Sequence, residues 1–239
     1  MGTGPTIGLV HGFTLTGRCW GPLAGALASH HRVLAVDAPG HGDSGHADAG
    51  LWSAADLLVE TVGFGTYVGY SMGARMVLHA ALAHPGSVEA LVLISGTAGI
   101  SDPAERARRR AADEGQARHI IDVGVDSFTA EWVSKDLFSD VPLDALDLDE
   151  RRRNTAIGLA TSLRSVGAGR QEPLWDRLPQ LDMRVLIVVG ALDLRFVAAG
   201  RRMAESIGTN AKLVEISGAG HTAHRSRPDA VIAALRDFI

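Results

Sequence analysis

Gly69-Tyr70-Ser71-Met72-Gly73 is the stretch on which the fold turns. It follows the apolar run Thr66–Val68 and leads into Met72–Ala83, where Met76, Val77 and Ala80 recur at helical spacing ahead of Pro85. A serine flanked by glycines at a strand-to-helix junction is the pattern of a sharp, strained turn. Only small neighbours tolerate the crowding there, and the Ser71 hydroxyl is left exposed above the carboxyl end of a strand. The helix behind it directs its N-terminal N–H groups and the positive end of its dipole at the same point.

Outward from this turn, short apolar runs alternate with helical patterns. The runs are Ile7–Val10, Val33–Val36, Ala90–Ile94, Val185–Val189 and Lys212–Ile216. Most lack a polar residue at every second position, so they read as strands buried on both faces of a parallel sheet. Helices are expected at Trp20–Ala28, at Ser53–Thr61 with Ser53 and Asp56 as a capping box, and at Pro228–Phe238. The class is α/β. The rhythm stops between Ser101 and Trp175, where charge is segregated: Arg106 and Arg108–Arg110, an acidic series from Asp136 to Glu150, then Arg151–Arg153. The expected division is a core of residues 1–100 and 176–239, with a helical lid inserted at 101–175.

Composition narrows the function. The chain has 239 residues, and 23 basic against 27 acidic side chains leave a net charge of −4. No global field draws it to nucleic acid or to an acidic membrane. Its single cysteine, Cys19, excludes an intrachain disulfide. No apolar stretch reaches about 18 residues, so no membrane insertion is expected. The start of the chain lacks a signal-peptide pattern, and a cytoplasmic protein is expected. Met1-Gly2 with Thr6 fits a myristoylation pattern, but a strand beginning at once would hold that terminus in the fold. His41, His46, His221 and His224 come without the carboxylate or cysteine set of a metal site. Gly2 and Gly4 follow no strand, so no dinucleotide fingerprint is supported and no cofactor is implied.

A serine hydroxyl becomes nucleophilic or basic only when an imidazole takes its proton. Of ten histidines, His221 is placed for this, in Gly218-Ala219-Gly220-His221 just past the last run. Asp193, in Gly190-Ala191-Leu192-Asp193 beyond Val185–Val189, is the carboxylate to orient it, although it could equally cap the next helix. Two backbone donors would complete an oxyanion hole: the N–H of Met72, after the serine, and that of Phe13, in His11-Gly12-Phe13 after the first run.

These segments, with Asp37-Ala38-Pro39-Gly40-His41-Gly42-Asp43-Ser44, resemble the α/β-hydrolase superfamily over nearly the whole chain. The resemblance implies the α/β-hydrolase fold and the triad order serine, aspartate, histidine. One departure stands out: the first run looks like the third strand of that fold. A mainly parallel sheet of six strands is therefore expected, without the usual antiparallel first strands.

A closer resemblance is to the 2-succinyl-6-hydroxy-2,4-cyclohexadiene-1-carboxylate synthases of menaquinone biosynthesis. It rests on Gly69 to Arg75, the arginine-rich helix ending at Asp113, Phe128 with Trp132, and Arg151 to Asn154. Gly158-Leu159-Ala160, Leu174 to Leu178 and His221 to Arg225 extend it. It implies a lyase that loses pyruvate from a polycarboxylated substrate after Ser71, activated by His221 and Asp193, removes a proton from carbon. Such a substrate calls for guanidinium forks. Arg75, one turn beyond Ser71, is the first candidate, and Arg110 and Arg151 are the others, with neighbours in each arginine run as alternatives. Tyr70 and Trp132 are candidates to line the pocket. The partner is a small polyanionic molecule. A hydrolase of small esters or carbon–carbon bonds is the alternative, and a non-catalytic binder has no chemical need for a full triad.

Overall fold

The computed structural model describes residues 2–239, so the Met1 part of the acylation pattern lies outside the described residues. Six strands form the sheet: β1 (Thr6–Val10), β2 (Arg32–Val36), β3 (Gly65–Tyr70), β4 (Val88–Ile94), β5 (Arg184–Gly190) and β6 (Ala211–Ile216). Every neighbouring pair is parallel, in the order β2-β1-β3-β4-β5-β6. The apolar runs are these strands, and their continuity follows from burial on two faces. Along β4, Leu91 and Leu93 enter one core while Ala90, Val92 and Ile94 enter the other.

The first core is covered by α2 (Leu51–Val62), α3 (Met72–Ala83) and α7 (Leu194–Ile207), and the second by α1 (Pro22–Ala28) and α9 (Pro228–Arg236). Between β4 and β5 the chain is helical: α4 (Pro103–Val133), bent at Gly124, then α5 (Leu148–Arg151) and α6 (Ala156–Val166). Ile120, Phe128, Leu159 and Leu163 give this segment a small core of its own, against which Phe13 packs. A short helix α8 (Ala223–Ser226) follows the His221 loop.

Two helix starts differ from the sequence reading. α2 begins at Leu51 behind Gly50, with no side-chain cap, so Ser53 and Asp56 lie inside the helix and not at its end. α1 begins at Pro22 and not Trp20, because Pro22 has the fixed φ suited to a first helical position.

Candidate active site

The serine turn explains its own sequence. Ser71 sits between β3 and α3 at φ 52° and ψ −104°, a left-handed conformation that costs a non-glycine residue energy. A Cβ on Gly69 would lie 2.4 Å from the Gly73 carbonyl oxygen, and one on Gly73 would lie 1.9 Å from that of Val10. Both positions therefore admit only glycine.

From this turn the Ser71 Oγ reaches His221 Nε2 at 3.0 Å, and His221 Nδ1 reaches Asp193 Oδ2 at 2.8 Å. Asp193 also caps α7, accepting from the Phe196 N–H at 3.3 Å through Oδ1. Capping and orienting the imidazole are thus compatible roles, one for each carboxylate oxygen. Three further contacts set the imidazole in place. The Phe196 ring packs 4.4 Å from it, the Ser95 hydroxyl donates to the His221 carbonyl at 2.7 Å, and Asp140 accepts from the Gly220 N–H at 2.5 Å.

A cavity of about 620 Å³ opens over the serine, bordered by Phe13, Ser71, Met72 and His221. Among the described residues, neither the Phe13 nor the Met72 N–H donates to a protein acceptor. The first turn of α3 leaves the Met72 N–H without an intrahelical partner. The far wall comes from α4 and α6.

The cationic residues divide. Arg75 borders the cavity, is 8% exposed, and donates from Nη1 to the Val166 carbonyl at 2.6 Å. Burial, with Arg109 nearby, lowers its pKa to about 10, so it remains charged at neutral pH. Trp132 borders the cavity too, edge-on to Phe13, with its buried Nε1–H unpartnered among the described residues.

Three expected cavity residues lie elsewhere. Arg110 is exposed and faces away, beside Arg164 and Arg170; the helix phase of α4 presents Arg109 to the cavity, where it pairs with Asp113 at 2.7 Å. Arg151 is buried below the β1 loop, donating to the Leu146 carbonyl at 2.7 Å and to the Thr14 hydroxyl, with its pKa lowered by desolvation. Tyr70 ends β3 in the core under α1 and α9 and does not border the cavity, although its ring lies 5.6 Å from that of His221. Its hydroxyl meets Thr222 Oγ1 at 2.9 Å, its ring lies against His224, and burial raises its pKa to about 12.

Other polar residues enter the wall without having been singled out from sequence. Gln171 is fully buried there, its Nε2 on the Thr97 carbonyl at 3.2 Å and its Oε1 unpartnered among the described residues. Arg195 and Arg202 border the cavity from α7. Their seven-residue spacing on one helix was the available signal. No group of three or more His, Cys, Asp or Glu among the described residues is arranged to hold a metal ion. No helix of the described residues is long and apolar enough to cross a membrane.

A family model for the alpha/beta hydrolase family matches residues 9–234. The chain belongs to that family. It is 30% identical to the 2-succinyl-6-hydroxy-2,4-cyclohexadiene-1-carboxylate synthase of Serratia proteamaculans, over 86% of this chain and 82% of that protein. It is 32% identical to the chloroplastic protein PHYLLO of Arabidopsis thaliana over 96% of this chain, which spans 15% of that longer protein. Among solved structures, MenH from S. aureus superposes with a TM-score of 0.90 at 27% identity, covering 100% of this chain and 94% of that one.

Proposed function

We propose that the chain is a lyase that eliminates pyruvate from a polycarboxylated cyclohexene and releases 2-succinyl-6-hydroxy-2,4-cyclohexadiene-1-carboxylate. Arg75 carries this reading. It is a buried guanidinium in the wall of the cavity that holds Ser71 and His221, bonded to a backbone carbonyl and paired with no carboxylate among the described residues. A buried cation on a cavity wall gains most from an anion that arrives with the ligand. A neutral ester supplies none. The names of the similar proteins support the same chemistry.

In the reaction, Ser71 gives its proton to His221 and takes one from the carbon beside the succinyl carbonyl. Asp193 holds the imidazole in the tautomer that accepts. Charge develops on the carbonyl oxygen, where the Phe13 and Met72 N–H groups oppose it. A second ring double bond forms as the carbon–oxygen bond breaks, and the departing enolpyruvate takes the proton held by His221 to become pyruvate, which returns Ser71 and His221 to their starting states. Arg75 and Arg109 bind carboxylates, and residues 101–175 serve as the lid over the site. A diffusible acidic substrate of this kind fits a cytoplasmic enzyme.

The test is pyruvate release from the cyclohexene substrate, measured beside hydrolysis of a neutral aryl ester. Pyruvate release is expected to dominate. Ester turnover without pyruvate release would replace the lyase by a serine hydrolase on the same scaffold.

A further inference from the structure

Thr14 follows Phe13 directly, and it is the most constrained residue of the β1 loop. Its φ is 68°, it is fully buried, and its side chain is β-branched. A β-branched residue in the left-handed region is a rare and costly conformation, which persists only where surroundings over-determine it. Here all three of its polar atoms are held. Its N–H donates to His41 Nε2 at 3.2 Å, its carbonyl accepts from Asn154 Nδ2 at 2.7 Å, and its hydroxyl accepts from Arg151 Nη1.

The three holders are themselves fixed. His41 has its Nδ1 on the Pro39 carbonyl at 3.1 Å, which leaves Nε2 as the acceptor. Asn154 uses Nδ2 twice, on Thr14 and on the Arg151 carbonyl at 2.9 Å, and its Oδ1 accepts from the Gly42 N–H at 2.9 Å. The amide therefore has a single satisfactory orientation. Arg151 is anchored on Leu146. None of the three borders the cavity over Ser71.

We propose that His41, Asn154 and Arg151 form a clamp on Thr14 whose purpose is to hold the preceding Phe13 N–H toward Ser71. They are positioning residues for the oxyanion hole. Released from the clamp, Thr14 relaxes to a negative φ, the chain re-routes one residue past Phe13, and that donor turns away from the developing charge. The inference rests on the oxyanion role of Phe13 in the proposed reaction, and not on the identity of the substrate.

The experiment compares wild type, N154A and the double variant T14G N154A. Two readouts are taken: kcat and KM for pyruvate release, and the rate of Ser71 phosphonylation by an aryl fluorophosphonate, whose phosphoryl oxygen uses the same hole. N154A is expected to lower kcat and phosphonylation together by roughly 10- to 100-fold, on the scale of one lost oxyanion donor, with KM little changed. Glycine adopts positive φ about as readily as negative, so the double variant should recover part of that loss. Should N154A not fold, R151M replaces a buried guanidinium by an apolar chain of similar reach and is expected to give the same pattern. A folded variant with wild-type kcat, a loss confined to KM, or no recovery on adding T14G overturns the clamp. A wild type that is phosphonylated but releases no pyruvate overturns the lyase reading alone, and phosphonylation still decides the clamp.

Discussion

Arg75 of α3 donates to the carbonyl of Val166, the last residue of α6, across 2.6 Å. The bond joins the helix behind Ser71 to the helical segment over it, and it leaves the remaining guanidinium donors in the cavity wall. One residue thus ties the end of α6 to the helix that follows the Ser71 turn.

Removing that guanidinium should separate the two candidate activities. A carboxylate left without its partner in a partly dry pocket costs about 2–5 kcal/mol, roughly 30-fold to several-thousand-fold. Arg75→Ala is therefore expected to reduce pyruvate release by that factor, while hydrolysis of a neutral ester changes little. Arg75→Lys should restore only part, because an ammonium is a point charge and not a fork. The ratio of the two activities in all three proteins is the measurement. Equal losses on both substrates would make Arg75 structural.

The helix phase of α4 gives a sharper contrast between neighbours. Arg109→Ala strips the cationic partner from the buried Asp113 carboxylate, 5% exposed and then held only by the Gly169 N–H, and leaves a negative charge facing the cavity. KM for a polyanionic substrate should rise about ten-fold, since like charge disfavours the ligand. Arg110→Ala, on the outer surface, should leave KM within about two-fold, as surface substitutions generally do. Comparable KM changes in the two variants would contradict this assignment of inner and outer faces.

Ser71→Ala should leave the fold intact and abolish turnover. The strained turn is held by the close approach of Gly69 and Gly73, which alanine at position 71 does not disturb. Loss of a triad member costs roughly 10⁴-fold or more in rate. Circular dichroism identical to wild type, together with near-normal pyruvate release, would remove Ser71 from the mechanism.

The sheet was readable because each strand is a short apolar run, and the serine turn because its glycines are imposed by contacts of 2.4 Å and less. Asp193 and His221 follow strand ends, so position along the chain singled them out. Arginine roles were less legible. In the run Arg108–Arg110 only the helix phase decides, and the available signal was Asp113, four residues after Arg109 on the same face. Arg151 and Asn154 act on Thr14 from 137 and 140 residues away, a relation no local pattern encodes. Tyr70 adjoins the serine in sequence, but alternation along β3 turns it into the core under α1 and α9.

Acid should destabilise the protein through its buried histidines. Burial lowers the pKa of His11 and His79 to about 4 and of His41 and His224 to about 3, against 6.5 for a free side chain. Above pH 6.5 these groups are neutral in both folded and unfolded chains, and their full contribution to stability is present. Below it the unfolded chain takes up protons that the folded chain refuses until about pH 4 or 3. Stability is therefore lost as pH falls through that window, by about 1.4 kcal/mol per pH unit for each such histidine. His224 isolates one of these contributions. Its ring lies between Trp20 and Tyr70, and its buried Nδ1 has no hydrogen-bond partner among the described residues. His224→Phe keeps an aromatic ring there and removes one proton from the difference. Urea unfolding at pH 7.5, 5.5 and 4.5 should show wild-type stability falling steeply and the variant falling less, with the slope reduced by about one proton. Parallel slopes would mean that His224 takes up its proton at the same pH in the folded protein as in the unfolded chain.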